Sequence, residues 1–558
     1  VPLFRRFLPA LAGLAMSGIT PVVGLTLSRV APAAAGRVAG STLHAQAVAG
    51  IGDDAIPLPA RGWRLSTGAQ WDQWDRRLSG SARTPLLAPL GTAALGAAQL
   101  PALQPIEEGL RSLLGGDYSL TLGPLEASGA VRRSTALLQA EFGLTRRVSL
   151  AVRVPYVEVR HAAQLVLNRA GTDANVGENP ARRSSQALIS NGRVYTTLSA
   201  ASSALTERLT ACAGDPAGEG CDVVLRDPGA AAQLVARATA FAAAWRRVYG
   251  DGTHGGGPVV PHVASAAHAA LGRELAGLSG AFARYGTTTV PDAVPAGATA
   301  VYGSLGLQAL VRDSAFGVNA DSLDRAFRAG MGDVELEARV LLFDSWRGSQ
   351  AARLATTHPG VRVLAAAGWR FGSSSSAQAA QPFALATGAE VSAVLLRATA
   401  DLVWKRWAWM SASVRATLPQ ADRAVVRLPG VGLPDAFLAG TPTVVSRQLG
   451  PHVDLELTPR LSLGENLGVA ASLVHRSLGP DAYRATDGTR EERTGGSAQY
   501  ATIGVTYSTL APYVRGKSTL ALEVSFLHEV ALAARGTSVP SLVRDRVELR
   551  VYPGFPRR

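Results

Sequence analysis

The chain has 558 residues, 17% of them charged, and a formal net charge of +13, enough length for several ordinary domains or one large architecture with insertions. Hydrophobic residues make up 47%, yet beyond the first fifty positions no run of about 18 apolar residues occurs, which argues against helical membrane spans there. Lys405 and Lys517 are the only lysines, and the arginines are scattered along the chain instead of gathering on one face or tail, so no nucleic-acid partner is expected.

Arg5 and Arg6, the largely apolar stretch Phe7–Leu27 and the small-residue site Ala45-Gln46-Ala47 read as an export signal over residues 1–47, cut after Ala45 or Ala47. Past it, short segments alternate apolar and polar residues, the period at which strand side chains alternate faces. Residues 62–74 open the series. The connection 75–130 holds an amphipathic helix, Gln104 to Leu114, with Ile106, Leu110, Leu113 and Leu114 on one side, placed either to line or plug an interior or to belong to a cap with no transport role. Strands follow over 131–143 and 147–160, where Ser149, Ala151 and Arg153 oppose Val148, Leu150, Val152, Val154 and Tyr156.

Residues 161–330 form a long insertion. Val194, Leu198, Leu205 and Leu209 recur at helical spacing, as do Leu234, Ala238, Phe241 and Trp245, and Val263, Ala267, Leu271, Leu275, Leu278 and Phe282. A helical cap over a barrel mouth is expected. Cys212 and Cys221, the only cysteines, suit a short-loop disulfide in an exported protein. Ala300 to Arg312 also reads as a strand, but is assigned to the insertion to keep the strand number even.

The series resumes over 331–343, 360–372, 392–404, 407–418, 448–458, 461–476, 497–508, 518–530 and 542–553, making twelve strands, or fourteen if another pair is hidden. Runs of about ten alternating residues between turn signals are the mark of a transmembrane β-barrel. The expected fold class is therefore an all-β transmembrane barrel of antiparallel strands with a large helical insertion. Residues 48–160 carry its first strands and 331–558 the rest. Two copies of L-T-x-R-x-S-L, at Leu144 to Leu150 and Leu457 to Leu463, are expected to be tight periplasmic turns, with Lys405 to Trp407 a third.

In such a barrel Asp333, Glu335, Glu337 and Arg339 face the lumen, with Val334, Leu336, Ala338 and Val340 toward lipid. The same alternation puts Arg153, Asp454, Glu456, Glu523, Arg546, Glu548 and Arg550 inside. Their expected role is to line and bias a polar pore, with no cofactor, metal or catalytic site.

EFGLTRRVSLAVRVPYVEV at Glu141–Val159, GMGDVELEARVLLFD at Gly330–Asp344 and the hairpin form LELTPRLSLG resemble the outer-membrane proteins grouped with the meta-pathway of phenol degradation, related in turn to the long-chain fatty-acid transporter class. The resemblance covers roughly half of the chain past the signal and none of the helical insertion. It implies a passive channel for small, often hydrophobic or aromatic solutes, seated in outer-membrane lipid by the barrel-assembly machinery. The chain departs from the usual aromatic last residue of such barrels: Phe555 is followed by Pro556, Arg557 and Arg558.

Other classes are weaker. A surface structural or adhesion protein would use the barrel as an anchor for the cap. An outer-membrane hydrolase would need a site built across strands, with His475 and His528 its first suspects. The glycine-rich GDGTHG at Gly250–Gly255 follows a helix instead of a strand, so a loop is expected and not a phosphate cradle. Asp487, Glu491 and Glu492 lack the EF-hand spacing for calcium.

Overall fold

The computed structural model describes residues 55–56, 58–287, 296–313, 325–346, 359–375 and 386–555, apart from 406, 428–441, 465, 487, 489, 494 and 515. The export signal and Asp487 of the acidic loop lie outside the described residues, as do the side chains of Glu491 and Glu492.

Twelve strands close into a barrel: β1 (Trp63–Trp74), β2 (Leu125–Gly143), β3 (Val148–Leu167), β4 (Glu335–Asp344), β5 (Gly360–Arg370), β6 (Ala393–Lys405), β7 (Ala408–Pro419), β8 (His452–Ser462), β9 (Leu467–Leu478), β10 (Gly496–Ser508), β11 (Leu522–Pro540) and β12 (Val543–Val551). Each pairs antiparallel with its chain neighbours, and β12 returns to β1 from Val543↔Gln73 to Val551↔Leu65. Closure leaves no open end in the ring of twelve, which lipid requires because it offers no hydrogen bonds of its own.

The alternation sorts as physics demands. On β4, Leu336 and Val340 are exposed while Glu335 and Arg339 are buried. Leu150, Val152, Leu455, Leu457, Ile503, Val505, Val547 and Leu549 likewise stand on the outer surface. Aromatic residues mark its two borders. Trp63, Trp404, Trp407 and Tyr507 lie exposed at the end holding the tight turns; Trp71, Tyr156 and Trp369 lie toward the other. Trp63 and Trp71 are eight residues apart on β1, about 26 Å along the strand, which a tilt of roughly 40° reduces to a height close to the apolar band of outer-membrane barrels.

Several boundaries differ from expectation: β2 opens at Leu125, β3 runs to Leu167 and β11 to Pro540. The first L-T-x-R turn stands, between Gly143 and Val148, but the second does not: β8 runs on through Thr458, Pro459 and Arg460 to Ser462, and the turn falls between Ser462 and Leu467. Pro459 has no N–H, so pairing with β9 lapses between Leu457↔Leu473 and Arg460↔Ala470, while pairing to β7 through Met410↔Pro459 continues. The motif there marks a gap in one ladder. Strand β4 begins at Glu335 and not at 331, because Arg325–Met331 is a separate strand on the upper half of β3. Gly332 N–H donates to Pro155 O at the break (2.8 Å).

The cap is built from α1 (Gln104–Leu114), α2 (Ser185–Gly214), α3 (Cys221–Arg226), α4 (Pro228–Tyr249), α5 (Ala266–Arg284) and α6 (Ser304–Arg312). The stretch Ala300 to Arg312 that reads as a strand is thus largely helix. Phe241, Trp245 and Tyr249 stack along α4, with ring centroids 6.0 and 4.3 Å apart, among Leu198, Leu205, Leu271, Leu275 and Phe282, all buried. Val263 precedes α5 and is exposed, outside the stripe expected of it. Ile106, Leu110 and Leu113 set α1 into this same core, on α4, instead of into the barrel. The core continues onto Leu125, Leu165 and Leu167 at the outer ends of β2 and β3, so the cap is rooted on the rim. Cys212 and Cys221 are joined, with Cα atoms 5.4 Å apart.

The GDGTHG loop closes on itself. The Asp251 carboxylate accepts from Thr253 N–H (3.0 Å), Thr253 Oγ1 (2.6 Å), His254 N–H (2.9 Å) and Arg246 Nε (3.0 Å), and the Thr253 and His254 bonds hold it below the usual carboxylate range. The Thr253 and His254 N–H groups are thus turned onto the loop's own carboxylate.

Candidate functional site: the barrel interior

The inward face carries carboxylates and guanidinium groups in interlocked sets. Glu335 lies directly across from Arg153 on β3 and Arg370 on β5, and accepts from both, at 3.1 Å from Arg153 Nη1 and 3.0 Å from Arg370 Nε. Glu337 is held by Arg339 Nε (2.7 Å) and by Arg397 of β6. That second contact crosses an entire strand. It is possible because β5 presents Ala366 and Gly368 at these levels; a Cβ on Gly368 would sit 2.4 Å from Leu336 O. Arg339 Nη1 also reaches Glu141 (3.0 Å), which pairs with Arg64 and accepts from Ser149 Oγ (2.6 Å).

Further round the wall, Arg544 bridges Asp72 (2.7 Å) and Glu529 (2.9 Å). Glu548 takes Arg546 (2.5 Å) and Arg550 (2.8 Å) from its own strand. Asp454 receives Arg476 Nε and Nη2 at 2.6 and 2.8 Å, and Glu456 accepts from Thr458 and Ser472 (both 3.0 Å). Glu523 accepts from Tyr552. Burying so many charges is costly unless each is paired, and the strand registers pair them.

Asp333 stands apart. It lies before β4 at the outer rim and is 4% exposed, with its carboxylate accepting from Ser374 N–H (3.2 Å) and Ala389 N–H (2.6 Å) of the connection after β5. It fastens a loop. Among the described residues no three His, Cys, Asp or Glu side chains gather as a metal site.

Sequence reasoning missed two features. Trp74, Val131, Val157, Val159, Tyr500 and Ala531 form a buried apolar cluster at the outer end of the barrel, into which Leu78 and Val539 fold. The guanidinium of Arg476 sits 5.3 Å from the Tyr500 ring centre within it. The signal was present in Val157 and Val159, which share the inward parity of Arg153, yet a run apolar on both faces does not announce which face looks in. The second feature is Ala55, whose N–H donates to Asp401 Oδ2 (2.9 Å) and which packs, fully buried, on Leu364 and Ala366. The segment before β1 therefore reaches into the barrel.

The histidines considered for a hydrolase do not meet. His475 faces Leu455 and Gln499 across its strand neighbours, and His528 bonds Asp545 Oδ1 (2.8 Å). Each alternates with buried inward residues, Val474 and Arg476 or Leu527 and Glu529, and so lies on the outer wall. Their partners on β10, Gln499 and Ile503, stand four residues apart, about 13 Å.

No protein-family model matches the chain, and no curated protein matches it. Among solved structures it is similar to an outer membrane channel from Pseudomonas putida F1, at 8% identity over 90% of this chain and 98% of that one, TM-score 0.40. It is also similar to a Pseudomonas aeruginosa FadL homologue (8% identity, 89% and 91% covered, TM-score 0.26) and to the P. putida toluene transporter TodX (7%, 88% and 88%, TM-score 0.24). These overlaps are loose, and the assignment rests on strand pairing and the chemistry of the two faces. A closed wall that is apolar outside, ringed by tryptophan and tyrosine and charged within, is matched to lipid on one side and to polar contents on the other; the chain is an outer-membrane β-barrel.

Proposed function

We propose that the protein is a channel for passive uptake of small solutes, entering past the apolar collar and descending along the charged wall. The observation that carries this reading is the layering of the interior. A barrel serving only as an anchor needs no apolar ring of Trp74, Val157 and Tyr500 above paired arginines and carboxylates. The collar suits an apolar or aromatic group, with Arg476 at Tyr500 able to meet an accompanying anion. The wall below then sets a nearly neutral field that admits solutes of either sign. Export through residues 1–47 and insertion by the barrel-assembly machinery belong to the same proposal.

Planar-bilayer recording of the purified full chain tests it. Discrete conductance steps are expected. Glu335→Ala frees Arg153 and Arg370 and should move selectivity toward anions at the same step size or larger. Absence of any steps from folded protein would overturn the channel. One observation favours the second reading, an anchored surface protein: interior side chains such as Glu141 and Arg370 are 1% and 2% exposed, so a silent barrel would leave the cap as the functional part.

A further inference from the structure

Helices α2 and α4 of the cap run antiparallel, and an open groove of about 880 Å³ lies between them. Arg246 stands over the Tyr195 ring at one end, 5.9 Å from its centre, and Glu207 and Val235 line the other. Tyr195 and Glu207 are twelve residues apart on one helix, so the groove is about 18 Å long. Its floor is kept low by Ser199, Ser202, Ala242 and Ala243.

Several polar groups in this groove are unspent, although Thr206 Oγ1 donates to Ser202 O (2.8 Å) and Arg246 Nε to Asp251 (3.0 Å). Ser202 is 6% exposed, and its Oγ, covered beneath the groove floor, has no hydrogen-bond partner, a loss that a buried hydroxyl normally avoids. Among the described residues the side chains of Ser199, Ser203, Thr239, Glu207 and Arg247 make no hydrogen bond or ion pair either. Elsewhere on the cap such groups find each other, as Arg237 does with Glu274 (2.5 Å). The groove thus offers hydroxyls that donate and accept, a carboxylate at one end and an unpaired guanidinium at the other.

We propose that this groove binds an acidic oligosaccharide, with an anionic sugar against Arg247 and neutral sugars over the serine and threonine floor toward Glu207. A carbohydrate presents the matching chemistry: every hydroxyl both donates and accepts, and a carboxylate such as Glu207 accepts from neighbouring hydroxyls. An extended peptide would need a strand edge or deep apolar anchors, and a nucleic acid a longer run of cations; the groove has neither. The site faces outward with the long connections, where sugar occurs as free polysaccharide or as a lipid headgroup.

The test is calorimetric titration of the detergent-solubilised full chain with a tetrasaccharide of uronic acids, against maltotetraose and a tetraglutamate peptide as controls. The uronate should bind about tenfold more tightly than maltotetraose, and Arg247→Gln should erase that preference. Thr239→Trp, which fills the groove from an exposed position, should abolish binding of both sugars while leaving bilayer conductance unchanged. Repeating the titration in nanodiscs with lipopolysaccharide identifies the source: competition marks a lipid headgroup, undiminished binding a free saccharide. No binding by the wild-type chain, equal binding of the peptide, or binding that survives Thr239→Trp would each overturn the proposal.

Discussion

The barrel and the cap bury their apolar surface in opposite senses. On β4 and β12, leucine and valine look outward and arginine and glutamate look in; in α2, α4 and α5 the leucines, Phe241 and Trp245 look in, with arginines outside. The solvent explains both. Where the surroundings are lipid, apolar side chains gain nothing from the interior, and charge collects where it can be paired. Where the surroundings are water, apolar burial drives the fold at roughly 25 cal/mol per Å². The cap should therefore respond to mutation as a soluble domain does, and the barrel as its inverse.

The sharpest break in that comparison is Trp245→Ala. The side chain is fully buried between Phe241 and Tyr249, and its indole N–H donates to Asn191 O (3.0 Å). Its removal should destabilise the cap by about 3–5 kcal/mol, seen as early proteolysis within 161–330 while heat-resistant gel mobility of the barrel persists. Loss of barrel mobility together with the cap would show that the two are one cooperative unit. On the barrel, Leu336→Arg places a charge on the lipid face beside Trp369 of the outer border and should cost roughly 2 kcal/mol, less than at the midplane. Urea unfolding in lipid vesicles reads this, and a neutral result would mean that Leu336 does not face lipid.

Removing the disulfide with Cys212→Ser and Cys221→Ser frees a short loop and should cost the cap about 2–3 kcal/mol, again without effect on the barrel. The smallest effect is a pH dependence. His268 of α5 is 8% exposed, its Nδ1 has no partner, and burial together with nearby His262 lowers its pKa. With a folded value below an unfolded one near 6.5, the unfolded chain binds more protons. The associated stability is present in full above about pH 6.5 and is lost as pH falls through the folded value. Denaturation of the cap followed by tryptophan fluorescence should shift to lower urea between pH 7.5 and 5, and His268→Gln should flatten that shift.

The twelve strands were legible because barrel strands announce themselves by a local rule: a period of two, written in residues such as Val547, Leu549 and Val551 against Arg546, Glu548 and Arg550. The helical stripes of the cap were legible for the same reason at a period of 3.6. The second L-T-x-R motif misled because a turn signature of few residues cannot report which ladder Pro459 interrupts. The GDGTHG loop was readable as an inter-helix loop from its neighbours alone, although what closes it, the Asp251 carboxylate, was not.

What the sequence by itself determined is which face of each strand meets lipid and which side of each helix meets the core, since both follow from side-chain periodicity. Which charges meet inside was decided by tertiary structure. Glu337 reaches Arg397 sixty positions away because barrel closure sets the register and Ala366 and Gly368 clear the path. The apolar collar, the entry of Ala55 and the groove between α2 and α4 likewise depend on elements far apart in the chain, whose approach no local pattern encodes.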